Sequence, residues 1–88
     1  MIIRSQNKKA IVNLNMIDTI EERDNQIRYF SGGGMETVGL LGQYSTEEKA
    51  IKVLDMICNF YAEHLEELKF DEAPFVRAFF SMPQDSEV

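Results

Sequence analysis

The chain is poor in the residues that usually build covalent cross-links and reactive centres. Its 88 residues include one cysteine, Cys58, and one histidine, His64. A lone cysteine cannot form an internal disulfide, which indicates a reducing compartment, and we expect the cytoplasm. No apolar run approaches the roughly 18 residues that a membrane-spanning helix needs. The opening MIIRSQNKK reaches charge too early for the apolar stretch of a signal peptide. We therefore expect no membrane contact.

Basic residues are scarce in the second half of the chain. The formal net charge is −6; residues 1–44 carry five basic and five acidic side chains, whereas residues 45–88 carry four and ten. An acidic surface repels a phosphate backbone, so we expect no direct binding of nucleic acid. The composition, 44% hydrophobic and 27% charged, is typical of a globular protein, and the length predicts a single domain over residues 1–88.

The stretch FSGGGMETVGLLGQYS lacks the residues that complete a phosphate-binding loop. Gly34 and Gly39 have the Walker spacing, but Leu40 and Leu41 stand where lysine and a hydroxyl residue are required. Thr37 likewise replaces the last glycine of a dinucleotide-binding fingerprint. We interpret the glycines as a hairpin tip between two strands.

Short runs rich in Ile and Val predict strands in the first half, with a turn around residues 13–15. Asp24 and Asn25 tolerate positive φ and predict a hairpin that pairs Thr19–Arg23 with Gln26–Phe30. METVGLLG resumes an extended pattern after the glycines. The alternation in FVRAFFSM predicts a C-terminal strand at about residues 75–82, and residues 83–88 read as a frayed polar tail.

One long amphipathic helix is predicted over about residues 46–68. Ser45 is its expected N-cap, completed into a capping box by Glu48. Its apolar stripe comprises Ala50, Leu54, Ile57, Tyr61, His64 and Leu68, with Cys58 beside it in an expected core position. The fold class that follows is α+β: a small antiparallel sheet of about five or six short strands packed on this helix.

No combination of side chains suggests an enzyme. Cys58 and His64 are six residues apart on one helix and do not face each other, so they make neither a metal site nor a catalytic pair. No nucleophile has an adjacent base and orienting group. We expect no catalytic residue, metal, cofactor or small-molecule substrate.

Two sets of side chains in the last third are candidates for binding a protein partner. The aromatic set exceeds what one helix and a small sheet can enclose, which predicts a homodimer or partner interface made by Phe60, Phe75, Phe79 and Phe80. The acidic set is the alternative, a docking surface for a basic partner made by Glu63, Glu66, Glu67, Asp71 and Glu72.

Three segments, MIIRSQ, IVNLN and LGQYSTEEKAIKVLDMI, resemble a family of short uncharacterised proteins of Gram-positive bacteria and their phages. The similarity covers most of residues 1–58 and includes a helix entered through Tyr-x-Ser/Thr-x-Glu. It implies a small cytoplasmic protein from a prophage or other mobile element, and it transfers no catalytic residue.

Two functions are compatible with these features. The first is a non-catalytic protein-interaction or regulatory module that self-associates through its aromatic surface. The alternative is an acidic inhibitor of a nucleic-acid-binding host protein, such as an anti-defence factor that mimics DNA. The partner surface distinguishes them, and only the acidic complex should weaken steeply with added salt.

Overall fold

The computed structural model describes residues 1–31, 37–64 and 79–88. This part of the chain contains six strands, one α-helix and two 3₁₀ turns. In chain order these are β1 (Ile2–Arg4), β2 (Ile11–Asn13), a 3₁₀ turn (Leu14–Met16), β3 (Thr19–Arg23), β4 (Gln26–Ser31), β5 (Thr37–Gln43), α1 (Glu47–Glu63), β6 (Phe79–Ser81) and a second 3₁₀ turn (Asp85–Glu87). The predicted α+β class is confirmed.

The strands form two sheets, so the prediction of a single antiparallel sheet was wrong. The first sheet has the order β2-β1-β6 and the second has the order β3-β4-β5. β6 runs parallel to β1, with Ile3 opposite Phe80. A parallel pair needs a long crossover connection. The parallel partner of β1 therefore comes from the far end of the chain, and no local sequence pattern identifies this partner.

The predicted hairpin between β3 and β4 is confirmed. Thr19 pairs with Phe30 and Arg23 pairs with Gln26. Asp24 and Asn25 have φ values of 53° and 65°, the left-handed conformation that a tight hairpin turn requires. β4 and β5 also pair antiparallel, and the three glycines between them, Gly32–Gly34, lie outside the described residues.

α1 begins one residue later than predicted. The N-cap is Thr46, whose side-chain oxygen accepts a hydrogen bond from the Lys49 N–H at 3.1 Å. Ser45 instead donates its backbone N–H to Asp85 Oδ1 at 2.7 Å. Serine and threonine both cap helices well, so the tertiary contact of Ser45 decides between them. α1 is described through Glu63, and the predicted extension to residue 68 lies outside the described residues.

The core lies where α1 meets both sheets. α1 contributes Ala50, Val53 and Ile57, and the strands contribute Ile3, Phe80, Ile27 and Leu41. The predicted stripe is therefore displaced around the helix. Leu54 is only half-buried, and Tyr61 and Cys58 are exposed. The sheets cover part of a wide apolar arc, and spacing alone does not show which part.

Gln6 connects the two sheets. Its backbone N–H donates to the Leu41 carbonyl at 2.7 Å. Its side chain exchanges two hydrogen bonds with the Gln43 backbone: Nε2 donates to the carbonyl at 3.0 Å and Oε1 accepts the N–H at 2.9 Å. Gln84 Nε2 donates to the Gln6 carbonyl at 2.8 Å. The end of β5, the residues that follow β1 and the C-terminal residues therefore meet at one residue, Gln6.

The C-terminal residues 83–88 are held against the fold, so the prediction of a frayed tail was wrong. Tyr44 donates its hydroxyl to the Pro83 carbonyl at 2.8 Å. Lys49 Nζ lies 3.0 Å from the Asp85 carbonyl oxygen and 3.4 Å from Asp85 Oδ2. Val88 packs against the core. The partners of this polar segment are distant in sequence, which is why its composition resembled that of a free end.

Candidate interaction surfaces

An apolar groove opens between α1 and the segment that leads into β3. Its volume is about 510 Å³, and it is lined by Leu14, Ile17, Ile20, Leu54, Ile57, Cys58 and Tyr61. These lining residues include no Asp, Glu, Lys or Arg. We call this feature the α1 groove. An open apolar surface of this kind is typical of a protein-binding site.

Exposed apolar side chains continue the α1 groove along the helix. Ile51, Leu54, Cys58 and Tyr61 are separated by three, four and three residues, so they form one stripe on α1. Ile51 is 43% exposed and Tyr61 is 41% exposed. The wide apolar arc of the sequence accounts for this stripe, because the sheets bury the neighbouring positions of Ala50, Val53 and Ile57 and leave the stripe beside them open.

Sequence reasoning missed this site. It placed Cys58 and Tyr61 in the core and assigned no role to the residues on the other wall, Leu14, Ile17 and Ile20. A signal was present, since the apolar half of α1 is wider than one packed face needs. The side left uncovered depends on the positions of the sheets.

The predicted aromatic interface is only partly on the surface. Phe80 is 8% exposed and its ring lies edge-on to that of Phe60, with ring centroids 5.3 Å apart. Phe60 also stacks on His64 at 4.0 Å. Phe80 is therefore a core residue and not the partner-facing residue predicted. Phe79 is 51% exposed, so its predicted role in binding stays open, and Phe75 lies outside the described residues.

The predicted acidic surface is described at one position. Glu63 is exposed in the last turn of α1, and Glu66, Glu67, Asp71 and Glu72 lie outside the described residues. The same helix also exposes Glu47, Glu48 and Asp55. In the described ranges, the ion pairs are Arg23–Glu21 and Lys49–Asp85, so these helix acids make none.

The shifted titrations belong to the held C-terminal segment. Burial, with the nearby charges of Asp85 and Glu87, raises the pKa of Tyr44 to about 12. The backbone hydrogen bond from Ser45, assisted by the Lys49 side chain, lowers the pKa of the Asp85 carboxyl. These two groups hold the C-terminal segment through hydrogen bonds to Pro83, Ser45 and Lys49. They therefore read as structural contacts.

The described residues contain neither a cluster of metal ligands nor a helix that could span a membrane. His64 Nδ1 lies 2.9 Å from the Phe60 carbonyl oxygen, which can only accept. Within residues 1–31, 37–64 and 79–88, no three His, Cys, Asp or Glu side chains converge on a possible metal position. None of the helices in these ranges has the length and apolar character needed to cross a membrane.

Comparisons with protein-family models, curated proteins and solved structures found no match for this chain.

Proposed function

We propose that the protein is a non-catalytic interaction module that forms a homodimer through the α1 groove. The observation that supports this proposal is the open apolar groove of about 510 Å³, with the stripe from Ile51 to Tyr61 along its helical wall. Covering such a surface removes apolar area from water, the main driving force of association.

A second copy of the chain fits this surface by symmetry. When two α1 helices cross antiparallel about residue 56, Ile51 of one copy faces the partner's Tyr61. The same alignment sets Leu54 opposite the partner's Cys58. A two-fold interface requires such a self-complementary set, in which each contact occurs twice. The groove wall beside the stripe provides the depression that the partner's stripe enters.

A cytoplasmic location is part of the proposal. The groove contains an exposed free thiol, Cys58, and such a thiol persists in a reducing compartment. An origin on a mobile element is also part of the proposal; it rests on the resemblance of MIIRSQ and the α1 segment to a family of Gram-positive bacteria and their phages. The regulatory role would then be exerted by the dimer on a further partner.

The first test compares two charged substitutions on opposite flanks of α1. Ile51→Glu lies on the stripe, whereas Met56→Glu lies away from it, and the two side chains are 43% and 39% exposed. We expect analytical ultracentrifugation to give a dimer for the wild type and for Met56→Glu, and a monomer for Ile51→Glu. Circular dichroism should show all three folded. A monomeric wild type at high micromolar concentration, or equal effects of both substitutions, would contradict the proposal.

The second test uses the thiol of Cys58. In the antiparallel arrangement the two Cys58 residues lie near the two-fold axis, within reach of a short bis-maleimide. We expect a covalent dimer from the wild type and none from Ile51→Glu. Equal cross-linking of both proteins would show that the thiols meet only by random collision.

The acidic inhibitor is the second candidate, favoured by the exposed acids of α1. Glu47, Glu48, Asp55 and Glu63 face solvent without ion pairs to described residues, and Lys52 is the exposed cation among them. A DNA-mimicking surface presents carboxylates in this way.

Its test is competition between this protein and duplex DNA for nucleic-acid-binding proteins of the host. We expect such competition to fall with added salt and to be lost in Asp55→Lys/Glu63→Lys. Competition that survives both changes, or is absent from the wild type, would remove this candidate. Neither result depends on whether the α1 groove forms a dimer.

A further inference from the structure

The outer face of the first sheet carries a cluster of basic and apolar side chains. In β1, Arg4 lies opposite Ile11 of β2, and Ile2 lies opposite Phe79 of β6. These residues alternate with Ile3, Val12 and Phe80, which pack into the core, so they point away from it. A concave site of about 290 Å³ is lined here by Arg4, Lys8, Lys9, Ala10, Ile11 and Phe79. We call it the Phe79 surface.

Its three cations lack counter-ions among the described residues. The ion pairs in those ranges, Arg23–Glu21 and Lys49–Asp85, involve none of them. Among the described residues, no acidic side chain lines this site. Glu87 lines the neighbouring cavity together with Arg4 and Lys8; its Oε1 accepts a hydrogen bond from the Gln84 N–H, and it makes no ion pair with either cation. A positive field therefore develops locally on a chain whose net charge is −6.

Hydrogen bonds fix the backbone of the loop between β1 and β2, which carries Lys8 and Lys9. Ser5 is 4% exposed; its N–H donates to the Ala10 carbonyl at 2.9 Å, and its hydroxyl donates to Asn7 Oδ1 at 2.7 Å. The Lys9 N–H donates to the same Asn7 oxygen at 2.9 Å. Arg4 Nη2 donates to the Lys8 carbonyl at 3.3 Å. Such a preorganised loop loses little entropy when a ligand binds.

The apolar side chains of the Phe79 surface are also exposed to solvent. Ile11 is 63% exposed and Phe79 is 51% exposed, and both line the same site as the cations. A simple inorganic anion would satisfy the charges and leave these side chains in water. The complementary ligand must therefore combine negative charge with an apolar or aromatic group.

We propose that the Phe79 surface binds an acidic peptide segment that contains an aromatic or large aliphatic side chain. Carboxylates of the segment meet Arg4, Lys8 and Lys9, and its apolar side chain packs on Phe79 and Ile11. Charge complementarity favours a protein segment over nucleic acid. The carboxylates of α1, such as Glu47, Glu48 and Asp55, would repel a long phosphate backbone more than a short peptide. The Phe79 surface shares no residue with the α1 groove.

The binding test uses three fluorescently labelled polymers of matched length. They are a copolymer of glutamate and tyrosine, polyglutamate, and oligothymidylate. Anisotropy titrations should show that the copolymer binds at least about tenfold more tightly than either of the others, because it alone supplies both kinds of contact at once.

Substitutions then assign the binding to this surface. Lys8→Glu/Lys9→Glu reverses two cations of the site, and Arg23→Glu/Lys52→Glu makes the same change of net charge elsewhere on the surface. We expect the first to weaken copolymer binding by about tenfold or more, and the second by about twofold at most. Phe79→Ser should weaken it by about fivefold, whereas Leu40→Ser, at a residue 49% exposed, should leave it unchanged.

Each other outcome overturns the proposal. Equal binding of polyglutamate would show that Phe79 and Ile11 take no part. Tighter binding of oligothymidylate would assign the surface to nucleic acid. Absence of binding, or equal losses in the two charge-reversed proteins, would show that the surface is not a site. Circular dichroism of each variant separates loss of binding from loss of fold, and ultracentrifugation of the same proteins reports the α1 groove independently.

Discussion

The two halves of α1 differ in what surrounds them. At the N-terminal half, the C-terminal segment supplies polar partners: Asp85 binds both Ser45 and Lys49, and Tyr44 reaches Pro83. At the C-terminal half, Cys58 and Tyr61 line an open apolar groove. One helix therefore has an end that the chain itself completes and an end with apolar surface left for a partner.

This difference shows how a small domain can combine stability with binding. Directional hydrogen bonds at one end fix the start of the helix against the C-terminal segment. Apolar contacts are non-directional, so the other end accepts a second surface without rearrangement. If this interpretation is right, substitutions at the polar contacts of the first end should change folding, and substitutions along the exposed stripe from Ile51 to Tyr61 should change association.

The largest expected effect is a difference in stability between substitutions at two neighbouring residues of α1, Val53 and Leu54. Val53 is fully buried, so Val53→Ala should lower the free energy of unfolding by about 2 kcal/mol. Leu54→Ala removes more atoms, yet it should cost the monomer only about 1 kcal/mol, because Leu54 is half-buried in the groove wall. Urea denaturation at low protein concentration, where the monomer predominates, measures the free energy of unfolding of both variants. An equal or larger loss from Leu54→Ala would mean that the groove wall belongs to the core.

A second prediction concerns stability at alkaline pH, which depends on Tyr44 at the polar end of the helix. Burial raises the pKa of Tyr44 to about 12, whereas an unfolded tyrosine titrates near 10. The folded state therefore favours the un-ionised phenol. Its stability should be intact below about pH 10 and should fall as the pH rises toward 12.

Tyr44→Phe provides the comparison for this effect. It should lose about 1 kcal/mol at neutral pH with its hydrogen bond to Pro83, and show a shallower alkaline decline. Denaturant midpoints across this pH range give the measurement. Parallel curves for the two proteins would refute the role of this hydroxyl.

The third prediction distinguishes the true N-cap from the predicted one. Thr46→Ala removes the side-chain oxygen that accepts the Lys49 N–H, and should cost about 1 kcal/mol. Ser45→Ala keeps the backbone N–H that binds Asp85, so it should change stability by about 0.5 kcal/mol or less. Thermal melts of the two variants are sufficient. The reverse order would restore Ser45 as the cap.

The smallest effect concerns Asp85. Its pKa is lowered, so its contribution to stability is present above the unfolded value of about 4 and is lost as the pH falls below it. Asp85→Asn should therefore flatten the acid side of the stability curve, with little change in the groove or in dimerisation. The measurement is the denaturant midpoint from neutral to acidic pH. Identical acid slopes would count against the contact.

Local features of the fold could be predicted from the sequence. Asp24 and Asn25 specify the β3–β4 turn through their own φ preferences, and α1 follows from a periodic apolar pattern. The alternation at the C-terminus correctly separated Phe80 from Phe79. It did not show which side faces the core, because both sides carry phenylalanine. Of the predicted site residues that the structure describes, Phe79 and Glu63 are exposed, whereas Phe80 is buried.

Contacts between distant segments could not be predicted. Gln6 meets Gln43 and Gln84, which are 37 and 78 residues away along the chain. No local pattern encodes such partners, so the tail read as frayed and β6 was assigned to the wrong kind of sheet. The α1 groove was missed for the same reason, since the uncovered side of the helix depends on how the sheets are placed.

The sequence by itself determined the class of fold, the β3–β4 hairpin and the amphipathic helix, because each depends on interactions among residues within a few positions of one another. Tertiary structure alone decided the division into two sheets, the docking of the C-terminal residues and the exposure of Cys58 and Tyr61. The physical reason is that burial and hydrogen-bond partners are properties of the assembled chain. A side chain becomes surface or core only when another segment covers it or leaves it open.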